Sequence, residues 1–315
     1  MSADGQPRDP ALPRLPERAA AGHKGTFGTV AVIGGSLAGG KAMIGAPALA
    51  ARAALRSGAG LARLVCPAPV LAHAVALCPS ATGIALSVDA QGEIVAHEAA
   101  ETFDRVVAEC SCVAIGPGLG VSAGAKAITL RAVQQEDVPV VVDADALTCL
   151  AETPDLTRDL RGACVLTPHP GEFRRLAAAL NITLSATDPS TRPGAAEQLA
   201  QRLGCIVVLK GAGTVVTNGQ ETWVCPWGHA CLATAGTGDV LTGLIAGLLA
   251  QHAGGGPGRG QGRGMSPLDL ARIGVEAHAR AGEAWAAGRA ASAGLLAEEL
   301  ADLLPGVLEG LRGSA

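Results

Sequence analysis

Tyrosine is absent from the 315-residue chain, and phenylalanine, tryptophan and methionine occur only three times each. So few rings leave no stacking platform for nucleobases, and the core must be built from aliphatic and alanine side chains. Charge is sparse as well: 24 Lys and Arg against 28 Asp and Glu give a net −4, with no basic footprint for nucleic acid or an anionic membrane. Long hydrophobic runs are missing; the longest, Leu241 to Ala250, is about half of what a bilayer requires. The stretch "MSADGQPRDPALPRLPERAA" combines proline with charges of both signs and has no apolar segment, so no secretory signal is expected there. The nine cysteines are scattered singly, apart from Cys110 and Cys112, and none shows zinc-ligand spacing. Reduced thiols serving as small core hydrophobes in a cytoplasmic protein are the expectation.

What the sequence does contain is 43 glycines and a hydrophobic fraction of 49%, which exclude disorder as the main state. After a Pro-rich arm, expected to be solvated over residues 1–22, short β-branched runs alternate with Ala/Leu-rich segments of helical length. "TVAVIGGS" (29–36) precedes "GAPALAARAALRSG" (45–58), whose apolar residues recur at three and four and which stops at Gly58. "LARLVCP" (61–67), "CVAIGPGLG" (112–120), "VPVVVDADAL" (138–147), "CVLTPHPGE" (164–172) and "CIVVLKGAGTVV" (205–216) read as further strands. Continuous apolar runs suit strands covered on both faces, so the pattern predicts a doubly wound α/β domain with a mostly parallel sheet over residues 23–312. The Gly/Arg-rich segment 252–267 reads as a flexible surface loop between two helices.

Four of these strands end in "GPGLG", "DADAL", "TPHPGE" and "KGAGT", and ligands of open α/β sheets sit beyond the carboxyl ends of strands. The four turns should therefore share one cleft with "TAGTGD" (233–239 is "ATAGTGD"). That turn lacks the lysine of a Walker loop. Its Gly236, Thr237 and Gly238 let backbone N–H groups converge at the start of a helix, a ready anion site. Asp239 could merely cap that helix, but a cap has no need of glycine on both sides of a threonine. An anion site beside a carboxylate base is an arrangement for phosphoryl transfer to a hydroxyl. Lys210 adds positive charge beside the Gly-rich turn Gly211, Ala212, Gly213, Thr214. Asp143 and Asp145 either orient water near a metal or simply end a strand, and the sequence leaves both readings open.

The segment "GTGDVLTGLI" resembles the signature of the ADP/ATP-dependent NAD(P)H-hydrate dehydratases, a branch of the ribokinase-like superfamily. "GAPALAARAALRSGAGLARL", "IGPGLG", "VVDADAL", "LTPHPGEFRRL" and "VVLKGAGTVV" resemble the family's other blocks in its order, with a weaker tail at "GVEAHARAGE". The resemblance implies a three-layer α/β/α fold, with Asp239 as general base and Gly236, Thr237 and Gly238 as anion hole. It assigns Lys210, Gly211, Ala212, Gly213, Thr214 and Gly238 to the nucleotide. It assigns Ala46, Gly118, His169 and Asp239 to the substrate, and Glu172 to Mg²⁺, which favours few carboxylates with phosphates and water. Related kinases carry an Asn-x-x-Glu element where this chain has His169-Pro170-Gly171-Glu172, a departure that the dehydratases share.

The activity so implied is repair of hydrated NADH or NADPH, with ADP or ATP as co-substrate and ADP the expected donor. A homotetramer is expected, and a separate epimerase as functional partner, because about 24 residues precede the matching region. Two rival readings remain at this level. One is a ribokinase-like kinase of a vitamin precursor, against which His169 argues. The other is a non-catalytic nucleotide-binding module, which would have no use for Asp239.

Overall fold

The computed structural model describes residues 12–38, 40–156, 160–253 and 264–313. Its first strand, β1 (Thr29–Ile33), lies inside the sheet and is buried along its whole length. From it the chain passes through a small hairpin, β2 (Ser36–Ala38) and β3 (Lys41–Met43), and helix α1 (Gly45–Arg56) into β4 (Leu61–Pro67). Helix α2 (Ala68–Leu77) leads to β5 (Thr82–Leu86), and α3 (Ala96–Val107) carries the chain back to the other side of β1. There β6 (Cys112–Ile115), α4 (Ala123–Gln134), β7 (Val140–Val142), α5 (Ala144–Ala151), β8 (Cys164–Leu166), α6 (Pro170–Ala179), α7 (Arg192–Leu203) and β9 (Ile206–Leu209) build outward in turn. Strands β10 (Val215–Thr217) and β11 (Thr222–Val224) close that edge, and α8 (Thr237–His252), α9 (Pro267–Arg289) and α10 (Ala297–Gly310) complete the chain.

The nine strands run in the order β11-β10-β9-β8-β7-β6-β1-β4-β5, parallel from β9 to β5 and antiparallel at β10 and β11. Alternate residues serve alternate faces. Val30, Val32, Leu64 and Ala114 pack under α1, α8, α9 and α10, whereas Ala31, Ile33, Val65 and Ile115 pack under α3 to α7. Three layers result, as the apolar strand runs require. The scarcity of rings is met by close approach: a Cβ on Gly243 of α8 would lie 1.9 Å from the Ala50 carbonyl oxygen of α1. All nine cysteines are free and buried, and burial pushes Cys66, Cys164 and Cys225 up to about 12. No helix among the described residues is long and apolar enough to cross a membrane.

Two local expectations need correction. The arm expected to be solvated over residues 1–22 docks from Leu12 onward; residues 1–11 lie outside the described set. Leu15 is fully buried, its N–H donates to the Leu311 carbonyl at 3.0 Å, and its carbonyl accepts from Gly313 N at 3.1 Å. A single leucine among prolines sufficed, because the end of α10 offers unpaired carbonyls and an apolar rim. The run 205–216 is two antiparallel strands rather than one, since Gly211 (φ +142°) and Gly213 (φ +63°) reverse the chain. Of the loop 252–267, residues 254–263 lie outside the described set, and Ser266 caps α9 by accepting from Asp269 N at 3.0 Å.

Candidate active site

Strands β1 and β6 are neighbours whose chains leave to opposite sides, which makes their carboxyl ends a topological switch point. The five turns singled out in the sequence meet there through a chain of contacts. Gly116 presses on β7's end so closely that a Cβ would fall 1.8 Å from the Asp143 carbonyl oxygen. Gly120 N donates to Asp145 Oδ2 at 2.9 Å, so Asp145 pins the "GPGLG" turn. Asp143 pairs with Lys210, Nζ to Oδ1 at 2.5 Å, and Lys210 N donates to the Pro168 carbonyl at 2.9 Å. Lys210 Nζ in turn lies 3.5 Å from where a Cβ on Gly238 would stand.

Helix α8 begins at Thr237, with Gly236 as its N-cap at φ +90°. Asp239 is therefore the third helical residue, and the simple capping role considered above does not hold. A Cβ at Gly236 would also meet Ala297 Cβ and Leu49 Cδ1 at 2.8 Å, so only glycine fits. Thr237 gives its hydroxyl to the Leu232 and Thr234 carbonyls, both at 2.9 Å, which fixes the turn from behind. The first-turn amides at Gly238 and Asp239 have no partner within the helix ladder and carry its positive end.

Around that helix end stand four carboxylates: Asp143, Asp145, Glu172 and Asp239. Burial, reinforced by the charge on Asp143 and only partly offset by Lys210, pushes Asp239 up to about 7. Burial raises Glu172 to about 7 as well, against the pull of Lys210. Lys210 is opposed by burial, yet Asp143, Glu172 and Asp239 outweigh it and raise its pKa. Asp143 is buried and holds both Lys210 and the Thr242 hydroxyl, the latter at 2.6 Å. Glu172 Oε2 lies 3.8 Å from Lys210 Nζ and accepts from His169 N at 2.7 Å. His169 caps α6: its Nδ1 accepts from Gly171 N at 2.9 Å and Glu172 N at 3.3 Å. The proton of a neutral His169 therefore sits on Nε2, and burial followed by the charge on Lys210 lowers its pKa.

Of the residues expected at the site, Asp239, Gly236, Thr237, Gly238, Lys210, Glu172 and His169 form one connected cluster. Gly211, Ala212, Gly213 and Thr214 form the adjoining β9–β10 turn. Ala46 lies in the first turn of α1, where neighbouring Pro47 Cβ comes within 3.3 Å of a Cβ on Gly34; Gly118 packs beneath Met43. Both belong to the switch-point side of the cleft. Asp143, left open between two roles, proves to be the partner of Lys210. Sequence reading missed Thr242, although it stands one turn after Asp239, and Arg192, which looked like an ordinary helix residue. Among the described residues, no three His, Cys, Asp or Glu side chains converge as a ready-made metal cage.

The mostly parallel sheet with its switch point and covering helices defines a ribokinase-like α/β fold. A family model for NAD(P)H-hydrate dehydratase matches residues 30–306, and the chain belongs to that family. A bifunctional NAD(P)H-hydrate repair enzyme of Moorella thermoacetica is 37% identical over 95% of this chain, which covers 52% of that relative. The chain thus spans about half the length of the first curated relatives it matches. An ADP-dependent (S)-NAD(P)H-hydrate dehydratase of Xanthomonas campestris is 34% identical, over 96% of this chain and 95% of the relative. The Bacillus subtilis ADP/ATP-dependent NAD(P)H-hydrate dehydratase, co-crystallised with ATP and Mg²⁺, superposes with a TM-score of 0.74 at 30% identity, over 96% of this chain and all of that one.

The raised Asp239 carries a thermodynamic consequence. A carboxyl whose folded pKa exceeds its unfolded value favours the folded state below about pH 4, and that contribution is lost as pH rises to about 7. In the absence of nucleotide and divalent metal, Asp239→Asn should therefore melt about 4 °C above wild type at pH 8 and level with it at pH 4. Equal melting temperatures at both pH values would show that Asp239 is not held in a hostile environment.

Proposed function

We propose that this protein is a nucleotide-dependent dehydratase that restores NADH or NADPH from its ring-hydrated form, with ADP as the preferred phosphoryl donor and ATP as the alternative. The observation that carries the reading is Asp239, a half-buried carboxyl raised to about 7 in the first turn of α8, beside Lys210. A base matched to neutral pH at a helix-end anion site suits proton removal from a hydroxyl that attacks a phosphoryl group. The ADP-dependent Xanthomonas relative supports the donor, and the match over nearly the whole of both chains supports the substrate.

In this reading Asp239 takes the proton from the ring hydroxyl, whose oxygen attacks the terminal phosphoryl and breaks its bond to the bridging oxygen, releasing AMP from ADP or ADP from ATP. Amides of the Gly236, Thr237, Gly238 turn hold the oxygens on which charge develops. The ring–oxygen bond then breaks, driven by the ring nitrogen lone pair, so phosphate departs with the former hydroxyl oxygen, and loss of a proton from the adjacent ring carbon forms the C=C bond of the restored coenzyme. Residues 210–214 hold the donor, and His169 presents Nε2–H to the substrate beside Ala46 and Gly118. The hard oxygens of Glu172 and its neighbours fit Mg²⁺, with phosphates and water completing the shell. Bound there, the ion would neutralise phosphate charge. We assign the chain from residue 23 to 312 to a single dehydratase domain in a cytoplasmic homotetramer. A separate epimerase activity would serve as functional partner, and light scattering checks the assembly.

The test is phosphate release with and without hydrated NADH. Release in step with coenzyme recovery is expected. A stable phosphorylated product would point to a kinase, and nucleotide binding without turnover to a regulatory module.

A further inference from the structure

Arg192, the first residue of α7, is buried, with a relative exposure of 7%. No carboxylate lies within ion-pair reach of it among the described residues. Its guanidinium is spent on backbone carbonyls instead. NH1 donates to Ala186 O at 2.5 Å, NH2 to Leu209 O and Lys210 O, each at 2.7 Å, and Nε to Gly213 O at 3.3 Å. Two of those four carbonyls, Lys210 and Gly213, belong to the β9–β10 turn assigned above to the nucleotide, and a third, Leu209, ends the strand that leads into it.

A trans peptide points its N–H opposite to its C=O. Turning the carbonyls of Lys210 and Gly213 onto Arg192 therefore turns the amides of Gly211 and Thr214 away from it. The Lys210–Gly211 peptide could adopt the reverse arrangement readily, because a peptide flip there changes φ of Gly211, which accepts either sign. With that peptide reversed, its carbonyl oxygen would face the bound phosphates and repel them. A guanidinium with a planar fork of donors fixes several carbonyls at once, which an ammonium cannot do. Its uncompensated charge behind the turn also favours an anion in front of it.

We propose that Arg192 is a positioning residue that holds the 210–214 turn in its phosphate-accepting orientation and so sets affinity for the nucleotide, without touching substrate or the reacting atoms. The inference rests on the reading that residues 210–214 bind the donor. It separates Arg192 from a purely structural residue, whose loss would lower stability and leave ligand affinity alone. Contact from the other side is equally tight, since a Cβ on Gly211 would lie 2.8 Å from Arg192 NH2.

The experiment is titration of the full chain with a fluorescent ADP analogue, beside steady-state kinetics, for wild type, Arg192→Met and Arg192→Lys. Arg192→Met should weaken nucleotide binding about 10-fold or more and raise the nucleotide KM alike. kcat at saturating nucleotide and the KM for hydrated coenzyme should stay within about two-fold. Arg192→Lys, which keeps the charge but cannot span the Ala186 and Gly213 carbonyls together, should lose about three-fold or more. If Arg192→Met does not fold, the Lys variant decides. A folded variant with lowered melting temperature but wild-type nucleotide affinity overturns the proposal. Wild-type protein that binds no nucleotide would instead overturn the functional reading, and this inference with it.

Discussion

Replacing Asp239 by Asn is expected to lower coenzyme recovery by about 10²-fold or more while nucleotide affinity stays within a few-fold of wild type. The two halves of this expectation have separate causes. Asn cannot take a proton at neutral pH, so the attacking hydroxyl remains protonated. The amides of the 236–238 turn, Lys210 and the 210–214 turn held by Arg192 are all retained, so the donor is expected still to bind. Folding should not suffer, because the substituted group is a half-buried carboxyl raised to about 7, which costs stability at neutral pH. Full turnover in a folded Asp239→Asn protein would remove the base from the mechanism.

Lys210→Met should produce the largest loss of stability at this site, about 3 kcal/mol at pH 8, because it leaves buried Asp143 without its cation. Thr242 still donates to Asp143 at 2.6 Å, but a neutral hydroxyl does not balance the charge. The loss should shrink towards pH 5, where Glu172 and Asp239 are protonated, since both are raised to about 7. Nucleotide affinity should fall about 10-fold or more, because the ammonium faces the helix end proposed to hold the phosphate. The double variant Lys210→Met with Asp143→Asn removes the stranded charge and should recover all but about 1 kcal/mol of the stability. It should recover none of the nucleotide affinity. Denaturant unfolding and nucleotide titration of the three variants check this; an unchanged midpoint for Lys210→Met alone would contradict it.

Much of this site could be read from the sequence, and for physical reasons. Strands covered on both faces write themselves as "TVAVI" or "VPVVV", and glycine at a helix start or strand end marks a backbone that must bend or come close. Those two signals placed β1, β4, the turn at 236–238 and the shared cleft. Less legible were contacts that depend on where a long side chain travels. Asp143 could not be told from a strand-end acid until Lys210 was seen 2.5 Å away, 67 residues along the chain. Arg192 carried no sign of its task, because its partners are backbone carbonyls, which leave no mark in a sequence. Leu15 misled for the converse reason: proline and charge around it signalled solvent, whereas the unpaired carbonyls of α10 that capture it belong to the far end of the chain.

The central claim is that the hydroxyl oxygen of the hydrated ring becomes a phosphate oxygen, with Asp239 as its base. Hydrated NADH carrying a heavy-oxygen label in that hydroxyl, turned over once with unlabelled ADP, follows the atom directly. The account predicts that the label appears in the inorganic phosphate, in proportion to the NADH recovered. Label released into water, with unlabelled phosphate, would contradict it.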